Sequence, residues 1–175
     1  FDIGFLENEL QILVRKLSPK TEVVDVIRMA RSLIPNVERY GLAAISRYLG
    51  LNSHQEHRAL GDAELTTNVF DRLISKLKDR GIDNFLQFYN LFGTNFSITQ
   101  DLNNQRIAAI QRAIDLGVRL NIRYYSSSTT QVTERQVSPK EIRQEGNFNY
   151  MVGYCHLRRD ERTFKINAIL NLEIN

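Results

Sequence analysis

The stretch His57-Arg58-Ala59-Leu60-Gly61-Asp62-Ala63 sets a histidine and an aspartate five positions apart. Successive residues of an α-helix turn by about 100°, so these two would point about 140° apart on a helix. We therefore predict that His57 lies in a loop and that Asp62 lies in the first turn of the following helix. Their side chains can then converge, with an imidazole beside a carboxylate, in the arrangement of a base next to a metal ligand.

The same residue types also have ordinary structural roles. An aspartate at a helix start commonly caps the helix or offsets its dipole, and this applies to Asp62 and to Asp2 at the start of the first predicted helix. A lone histidine before a helix commonly faces solvent. The local pattern alone therefore leaves a catalytic and a structural interpretation open for His57, Asp62 and Asp2.

Composition limits the class of protein. The 175 residues are 42% hydrophobic and 25% charged, which suits one ordinary domain or two small ones. The single cysteine excludes an internal disulfide framework and indicates a cytoplasmic location. No run of 18 apolar residues is present, so we predict no membrane span. The chain begins at Phe1, inside an apolar stretch, and we expect it to be a fragment that lacks an upstream part.

The positive charge is concentrated in the last third of the chain. Residues 1–80 carry 12 Lys and Arg against 11 Asp and Glu, whereas residues 105–175 carry 11 against 7. A net charge of +4 over this last part is compatible with a polyanionic partner such as nucleic acid, although many proteins carry such a charge without that role.

Hydrophobic spacing divides the chain into a helical part and a strand part. Apolar residues at three- and four-residue intervals predict helices over residues 3–16, 27–33, 41–49, 59–77 and 104–116. After Gly117 the period falls to two, which predicts short strands over residues 120–125, 132–137, 141–143, 148–157, 163–166 and 169–174. We predict a first domain at residues 1–80, a connector at 81–104 and a small all-β domain at 105–175.

The first part resembles the DEDDh family of 3′–5′ exonucleases, which includes the epsilon-like proofreading subunit of bacterial replicative DNA polymerases. The resemblance is carried by residues 1–6, 24–25, 41–45, 48–50 and 57–63. It implies that His57 is the catalytic base and that Asp2 and Asp62 are ligands of two Mg²⁺ or Mn²⁺ ions. It also implies phosphodiester hydrolysis, a reaction in which two such ions stabilise the attacking and leaving oxygens.

One part of the exonuclease pattern has no counterpart. The first motif of the family, an Asp-x-Glu on an early strand, would lie before Phe1. We therefore expect the 175 residues alone to be inactive as a nuclease.

The second part resembles the WYL domain, a small module of bacterial regulators. The matching residues are Tyr124, Arg135, Val137, Pro139, Ile169 and the stretches 150–158 and 162–166. The resemblance implies binding of nucleic acid or a nucleotide effector, with Arg135, Arg158 and Arg162 on phosphate and Tyr150 stacking on a base. Two family positions differ, because Asn149-Tyr150-Met151 replaces Trp-Tyr-Leu and Asn167-Ala168-Ile169 replaces Asp-Arg-Ile.

Together the two resemblances imply an α/β plus β fold: an incomplete RNase H-like exonuclease domain, mostly its helical part, followed by a small Sm/SH3-like β-barrel WYL domain. The expected partners are nucleic acid, with DNA favoured over RNA, and a polymerase or nucleotide effector, without a membrane. The leading hypothesis is a 3′–5′ exonuclease with a nucleic-acid-sensing module. The alternatives are a non-enzymatic nucleic-acid-binding or regulatory protein with a degenerate nuclease half, and an interaction scaffold.

Overall fold

The computed structural model describes residues 2–18, 21–51, 59–94 and 97–175, without the side chains of Asp2, Ser97 and Ile98. Six helices come first: α1 Asp2–Ile12, α2 Val26–Leu33, α3 Leu42–Tyr48, α4 Ala59–Lys78, α5 Phe85–Phe92 and α6 Ser97–Leu116. The strands follow as β1 Leu120–Ser126, β2 Gln131–Glu145, β3 Phe148–Cys155, β4 Asp160–Lys165 and β5 Ile169–Ile174, with the 3₁₀-helix η1 Ile166–Ala168 between β4 and β5.

Local sequence signals set several helix ends. The Asp25 carboxylate caps α2 by accepting a hydrogen bond from the Arg28 backbone N–H at 2.9 Å. The Asn84 side chain caps α5 in the same way, on the backbone N–H of Leu86. Gly81 follows α4 with a φ of +72°, a conformation that glycine adopts without steric cost. These local signals account for where α2 and α5 begin and where α4 ends.

The five strands form one antiparallel sheet in the order β4-β3-β2-β1-β5. The sequence predicts two strands where the structure has the single strand β2. The gap between the predicted strands, at residues 138–140, contains a shift of register between Pro139 and Glu141, and the strand continues through it. A proline cannot donate a ladder hydrogen bond, and a bulge beside it lets the strand carry on.

The predicted Sm/SH3-like barrel is not supported, because the sheet is open. Strands β4 and β5 lie at its two edges, and they are joined by η1 rather than by strand pairing in the described residues. A flat sheet would place these edges roughly 19 Å apart, whereas the four residue steps from Lys165 to Ile169 span at most about 14 Å. The sheet is therefore curled, but η1 directs Ile166 into the core instead of completing a ladder.

The sheet separates two apolar cores. Helix α6 packs through Ile110 and Ala113 against one face, where Leu120, Ile122 and other residues of that face are buried. The second core joins α2, α4 and α5 to the opposite side of β1 and to the end of the chain. Its buried members are Met29, Ala30, Leu33, Ile34, Ile45, Val69, Leu73, Leu77, Ile82, Leu91, Phe92, Tyr125, Ala168 and Leu170.

Helix α1 differs from the other helices. Its apolar side chains are largely exposed, including Phe5 at 62% and Ile12 at 73% of their surface. No helix in the described ranges has both the length and the apolar character needed to cross a membrane. Up to residue 94, the described β pairing is limited to the bridge between Val24 and Gly93.

We predict that Leu73→Ala lowers the free energy of unfolding by about 2–5 kcal/mol, because it leaves a cavity at the centre of the second core. Leu73 is 0% exposed, whereas Leu60 on the same helix is 72% exposed. Leu60→Ala is therefore the matched control, with an expected change below about 0.5 kcal/mol. Urea unfolding of the three proteins measures the difference, and equal effects of the two substitutions would contradict the packing described here.

Candidate functional site

The structure describes the side chain of one of the three predicted exonuclease residues. Asp62 lies in the first turn of α4, as predicted, and it is half-buried. Asp2 is the first residue of α1, but its side chain lies outside the described part. His57 also lies outside the described residues. Whether the three side chains meet is therefore still a prediction.

The described residues do not fit a two-metal centre by themselves. Within them, no group of three or more His, Cys, Asp or Glu side chains is arranged to hold a metal ion. Asp62 supplies one carboxylate, whereas two divalent cations need several oxygen ligands. Asp62 could therefore act as a metal ligand only together with side chains other than those described.

Asp62 is held on a well-anchored helix. Buried Val69, Leu73 and Leu77 of α4 pack in the second core with residues of α2. The backbone carbonyl of Asp62 accepts a hydrogen bond from Thr66 Oγ1 at 2.7 Å. An acidic side chain in the first turn also interacts favourably with the helix dipole. This placement is compatible with both the ligand role and the ordinary helix-start role of Asp62.

Arg135 is engaged within the sheet. Its Nε donates a hydrogen bond to Thr133 Oγ1 at 2.9 Å, and one terminal nitrogen lies 3.7 Å from Cys155 Sγ. Its guanidinium carbon is 5.9 Å from the ring centroids of both Tyr124 and Phe164. These contacts give Arg135 a packing role, so a phosphate would compete with partners that it already has.

The other predicted ligand residues are more open. Arg158 is exposed in the turn between β3 and β4, and Arg162 is exposed on β4, 3.7 Å from Asp160. Tyr150 is half-buried on β3 and pairs with Lys165 across the sheet, on the face opposite Arg162. The two exposed arginines therefore lie near one another in sequence and at one edge, whereas Tyr150 does not accompany them.

Sequence reasoning missed a cavity of about 420 Å³ between the helical part and the sheet. We call it the junction cavity. Its lining residues come from α2, the end of α5, β1 with its following turn, the end of β4, and η1: Arg28, Arg31, Ser32, Leu91, Phe92, Tyr124, Tyr125, Ser127, Ser128, Lys165, Asn167 and Ala168.

The junction cavity is cationic. Among the described residues, it is lined by two arginines and one lysine and by no carboxylate. Burial lowers the pKa of Lys165 below its ordinary value, and the nearby Arg28 guanidinium lowers it further. The Lys165 ammonium lies 3.1 Å from the centroid of the Phe148 ring, a favourable cation–π contact. The lowered pKa shows that burial and the neighbouring Arg28 disfavour the charged form of Lys165.

The sequence predicts only part of the lining of this cavity. Arg28 and Arg31 are three residues apart, a spacing that places both side chains on one side of α2. Lys165 lies more than 130 residues further along the chain, and its approach to Arg28 depends on how the helices dock on the sheet. No spacing rule on one sequence predicts that docking.

The docking itself is fixed by polar contacts. The Tyr125 hydroxyl donates to the Ser32 backbone carbonyl at 2.8 Å and lies 3.0 Å from Ser32 Oγ. Arg80 bridges the helical part and the sheet by donating to the Leu33 carbonyl and to Thr130 Oγ1. Arg123 on β1 donates to the Gly81 carbonyl at 2.8 Å.

Comparison with known families assigns both halves. Residues 1–70 match the exonuclease family, and residues 105–174 match the WYL domain family. The chain joins an exonuclease segment to a WYL domain. Both resemblances drawn from the sequence are thereby confirmed at the level of family.

Two curated proteins illustrate what parts of this chain are similar to. The DNA polymerase III PolC-type protein of Oceanobacillus iheyensis is 35% identical over 96 residues, which are 54% of this chain and 7% of that protein. The 3′-5′ exonuclease DinG of Bacillus subtilis is 38% identical over 78 residues, which are 45% of this chain and 8% of that protein. The chain therefore spans less than a tenth of the length of these relatives.

Among solved structures, proteasome accessory factor B/C of Arthrobacter aurescens is similar with a TM-score of 0.41 and 22% sequence identity. The match covers 77% of this chain and 19% of that one.

We predict that Tyr125→Phe lowers the free energy of unfolding by about 1–2 kcal/mol, because the Ser32 carbonyl loses its buried donor. Burial raises the pKa of Tyr125 above its ordinary 10.0, against smaller lowering effects of Ser32 and Arg80. A raised pKa in the folded state means that the stabilisation is complete below pH 10 and is lost as the pH rises through the folded-state pKa.

The difference in stability between the wild type and Tyr125→Phe should therefore shrink above about pH 10, as measured by urea unfolding at several pH values. Tyr154→Phe is the matched control, since Tyr154 is 38% exposed and belongs to neither core. A difference that grows with pH would contradict the buried neutral hydroxyl.

Proposed function

We propose that this chain is part of a 3′–5′ exonuclease that acts on DNA, with the WYL domain binding the nucleic acid or a nucleotide effector. The match of residues 1–70 to the exonuclease family carries the proposal, since DinG of Bacillus subtilis is named a 3′-5′ exonuclease. The position of Asp62 in the first turn of α4 supports it further. The proposal places the protein in the cytoplasm, in keeping with its free buried Cys155.

In this proposal His57 is the general base. An unperturbed imidazole titrates near pH 6.5, close to the pH at which it would accept a proton. Asp2 and Asp62 hold two Mg²⁺ or Mn²⁺ ions together with carboxylates supplied from upstream, in an RNase H-like domain. Bound metal would provide charge stabilisation of the phosphodiester and its leaving group. The first domain takes residues 1–80 and the WYL domain residues 105–175, with a connector between them.

The proposed role of the WYL domain follows from its exposed cations. Arg158 and Arg162 are available to phosphate, because both side chains are exposed and a guanidinium binds phosphate with two parallel hydrogen bonds. Arg135 and Tyr150 are the other two proposed ligand residues, and both are half-buried. A polymerase is a further proposed partner, since the PolC-type relatives carry that name.

A non-enzymatic nucleic-acid-binding protein is the second candidate. It is supported by the match of residues 105–174 to the WYL domain family and by the exposed cations Arg158 and Arg162, which need no catalytic centre to bind phosphate. In that case the exonuclease segment would serve as a support for the WYL domain.

We predict that the 175-residue chain does not degrade a single-stranded primer in Mg²⁺, and that a version extended upstream to include an Asp-x-Glu motif does. In the extended version, His57→Ala should lower the rate by roughly 100-fold or more, the effect of losing a general base. Asp62→Asn should also abolish most activity, whereas Glu64→Gln, an exposed acid on the same helix turn, is the matched control. Release of labelled nucleotides measures the rate.

Degradation by the 175-residue chain would contradict its proposed inactivity. Full activity of Asp62→Asn in the extended version would contradict the ligand role, and an inactive extended version would favour the second candidate.

We predict that the affinity for a single-stranded oligonucleotide falls with salt, and that replacing Arg158 and Arg162 together by Gln reduces the slope of log K against log salt. Loss of two phosphate contacts on a single strand corresponds to a change of about 1.4 in that slope. A double variant of Arg72 and Arg112, two exposed helix arginines, removes the same charge and is the control. Equal changes in the two double variants would exclude a specific role for the β4 edge.

A further inference from the structure

The junction cavity has the chemistry of an anion site. Three cations line it, and within the described part of the chain none of them is paired with a carboxylate. Arg28 and Lys165 are half-buried, and Arg31 is at the open rim. Aromatic rings offset part of this charge, since Lys165 lies on the Phe148 ring and the Arg31 guanidinium carbon is 5.7 Å from the Tyr40 ring centroid. Like charges held close together still repel, and an anion placed between them removes that cost.

The rest of the wall is aromatic and hydroxylic. Tyr124 is half-buried and is the aromatic ring with accessible surface here, whereas Phe92 and Tyr125, each 2% exposed, contribute little more than their edges. Ser127 and Ser128 lie in the turn after β1 and bring two hydroxyl groups to the opening. An apolar, aromatic wall beside a cationic one matches a ligand that has a flat ring at one end and a phosphate at the other.

The size of the cavity limits the ligand to a small molecule or the end of a chain. A volume of about 420 Å³ lies near the lower part of the ~300–1,000 Å³ range of small-molecule sites. A phosphomonoester carries close to two negative charges at neutral pH, which three cations can balance.

We propose that the junction cavity binds a nucleotide monophosphate, either free or as the terminal nucleotide of a single strand, with its phosphate between Arg28, Arg31 and Lys165. This inference rests on the proposed function in that the ligand belongs to the same chemical class as a nuclease product or effector. It goes beyond that function because Arg28 and Arg31 belong to the exonuclease segment and Lys165 to the WYL domain. The ligand therefore contacts both halves of the chain at once.

The test is calorimetric titration of the 175-residue protein with deoxyadenosine 5′-monophosphate, deoxyadenosine, inorganic phosphate and a 5′-phosphorylated single-stranded oligonucleotide. We expect the monophosphate to bind, and deoxyadenosine and phosphate each to bind at least roughly tenfold more weakly, because each lacks one half of the ligand. If the oligonucleotide displaces the monophosphate, the strand terminus is the natural form of the ligand. If it does not, the free nucleotide is.

Arg28→Gln and Lys165→Met should each weaken binding of the monophosphate by roughly tenfold or more. Arg112→Gln and Lys78→Met make the same changes of charge at exposed helix positions outside the cavity and should leave the affinity unchanged. Thermal unfolding without ligand identifies any variant that does not fold. If Lys165→Met does not fold, the affinity of Arg28→Gln decides the question.

Two results would overturn the inference: no measurable binding of the monophosphate to the wild type, or equal effects of the cavity and control variants. Neither result bears on the nuclease. Activity of the extended protein without nucleotide binding in the cavity rejects this inference alone. Cavity binding with an inactive extended protein rejects the exonuclease proposal alone.

Discussion

Burial of Tyr125 between α2 and the sheet is the constraint on which the arrangement of the two halves depends. Its ring is 2% exposed and contributes to the core that holds α2, α4 and α5, and its hydroxyl is satisfied by Ser32. A buried phenol without a partner is costly, so the ring can occupy this position only when Ser32 of α2 faces it. The junction cavity and the approach of Arg28 to Lys165 follow from that alignment.

Most of the predicted helices and strands are present, because their signals are local, although α1 ends four residues before its predicted end and α6 begins seven residues before its predicted start. Asp25 and Asn84 act as caps, Gly81 follows the longest helix of the first part, and the change of period after Gly117 marks the first strand. The error at β2 has an equally local cause, since Pro139 looks like a strand end and is accommodated by a shift of register. The predicted barrel failed because strand spacing does not determine whether the edges of a sheet pair.

The sequence predicted less of the candidate functional site than of the fold. Alternation along β1 sets Asn121, Arg123 and Tyr125 on one face, but it does not tell what covers that face. In the structure Tyr125 lies in a core and Arg123 donates to the Gly81 carbonyl. Arg135, which the resemblance assigns to phosphate, lies opposite Ile122 and already donates to Thr133 in the sheet, and its phosphate contact stays a prediction. Such outcomes depend on what packs on each face, and that information is spread over both halves of the chain.

The three residues of η1 connect the two cores. Ile166 is buried in the core beneath α6, and Ala168 is buried in the core shared with α2, α4 and α5. Between them, Asn167 exchanges hydrogen bonds with Asn90 of α5. The boundary between families at about residue 105 is therefore not a boundary of packing. A WYL domain joined to a different N-terminal partner would need a new cover for Tyr125, Ala168 and Leu170, so exchanging partners in evolution requires the surface of the sheet to change with them.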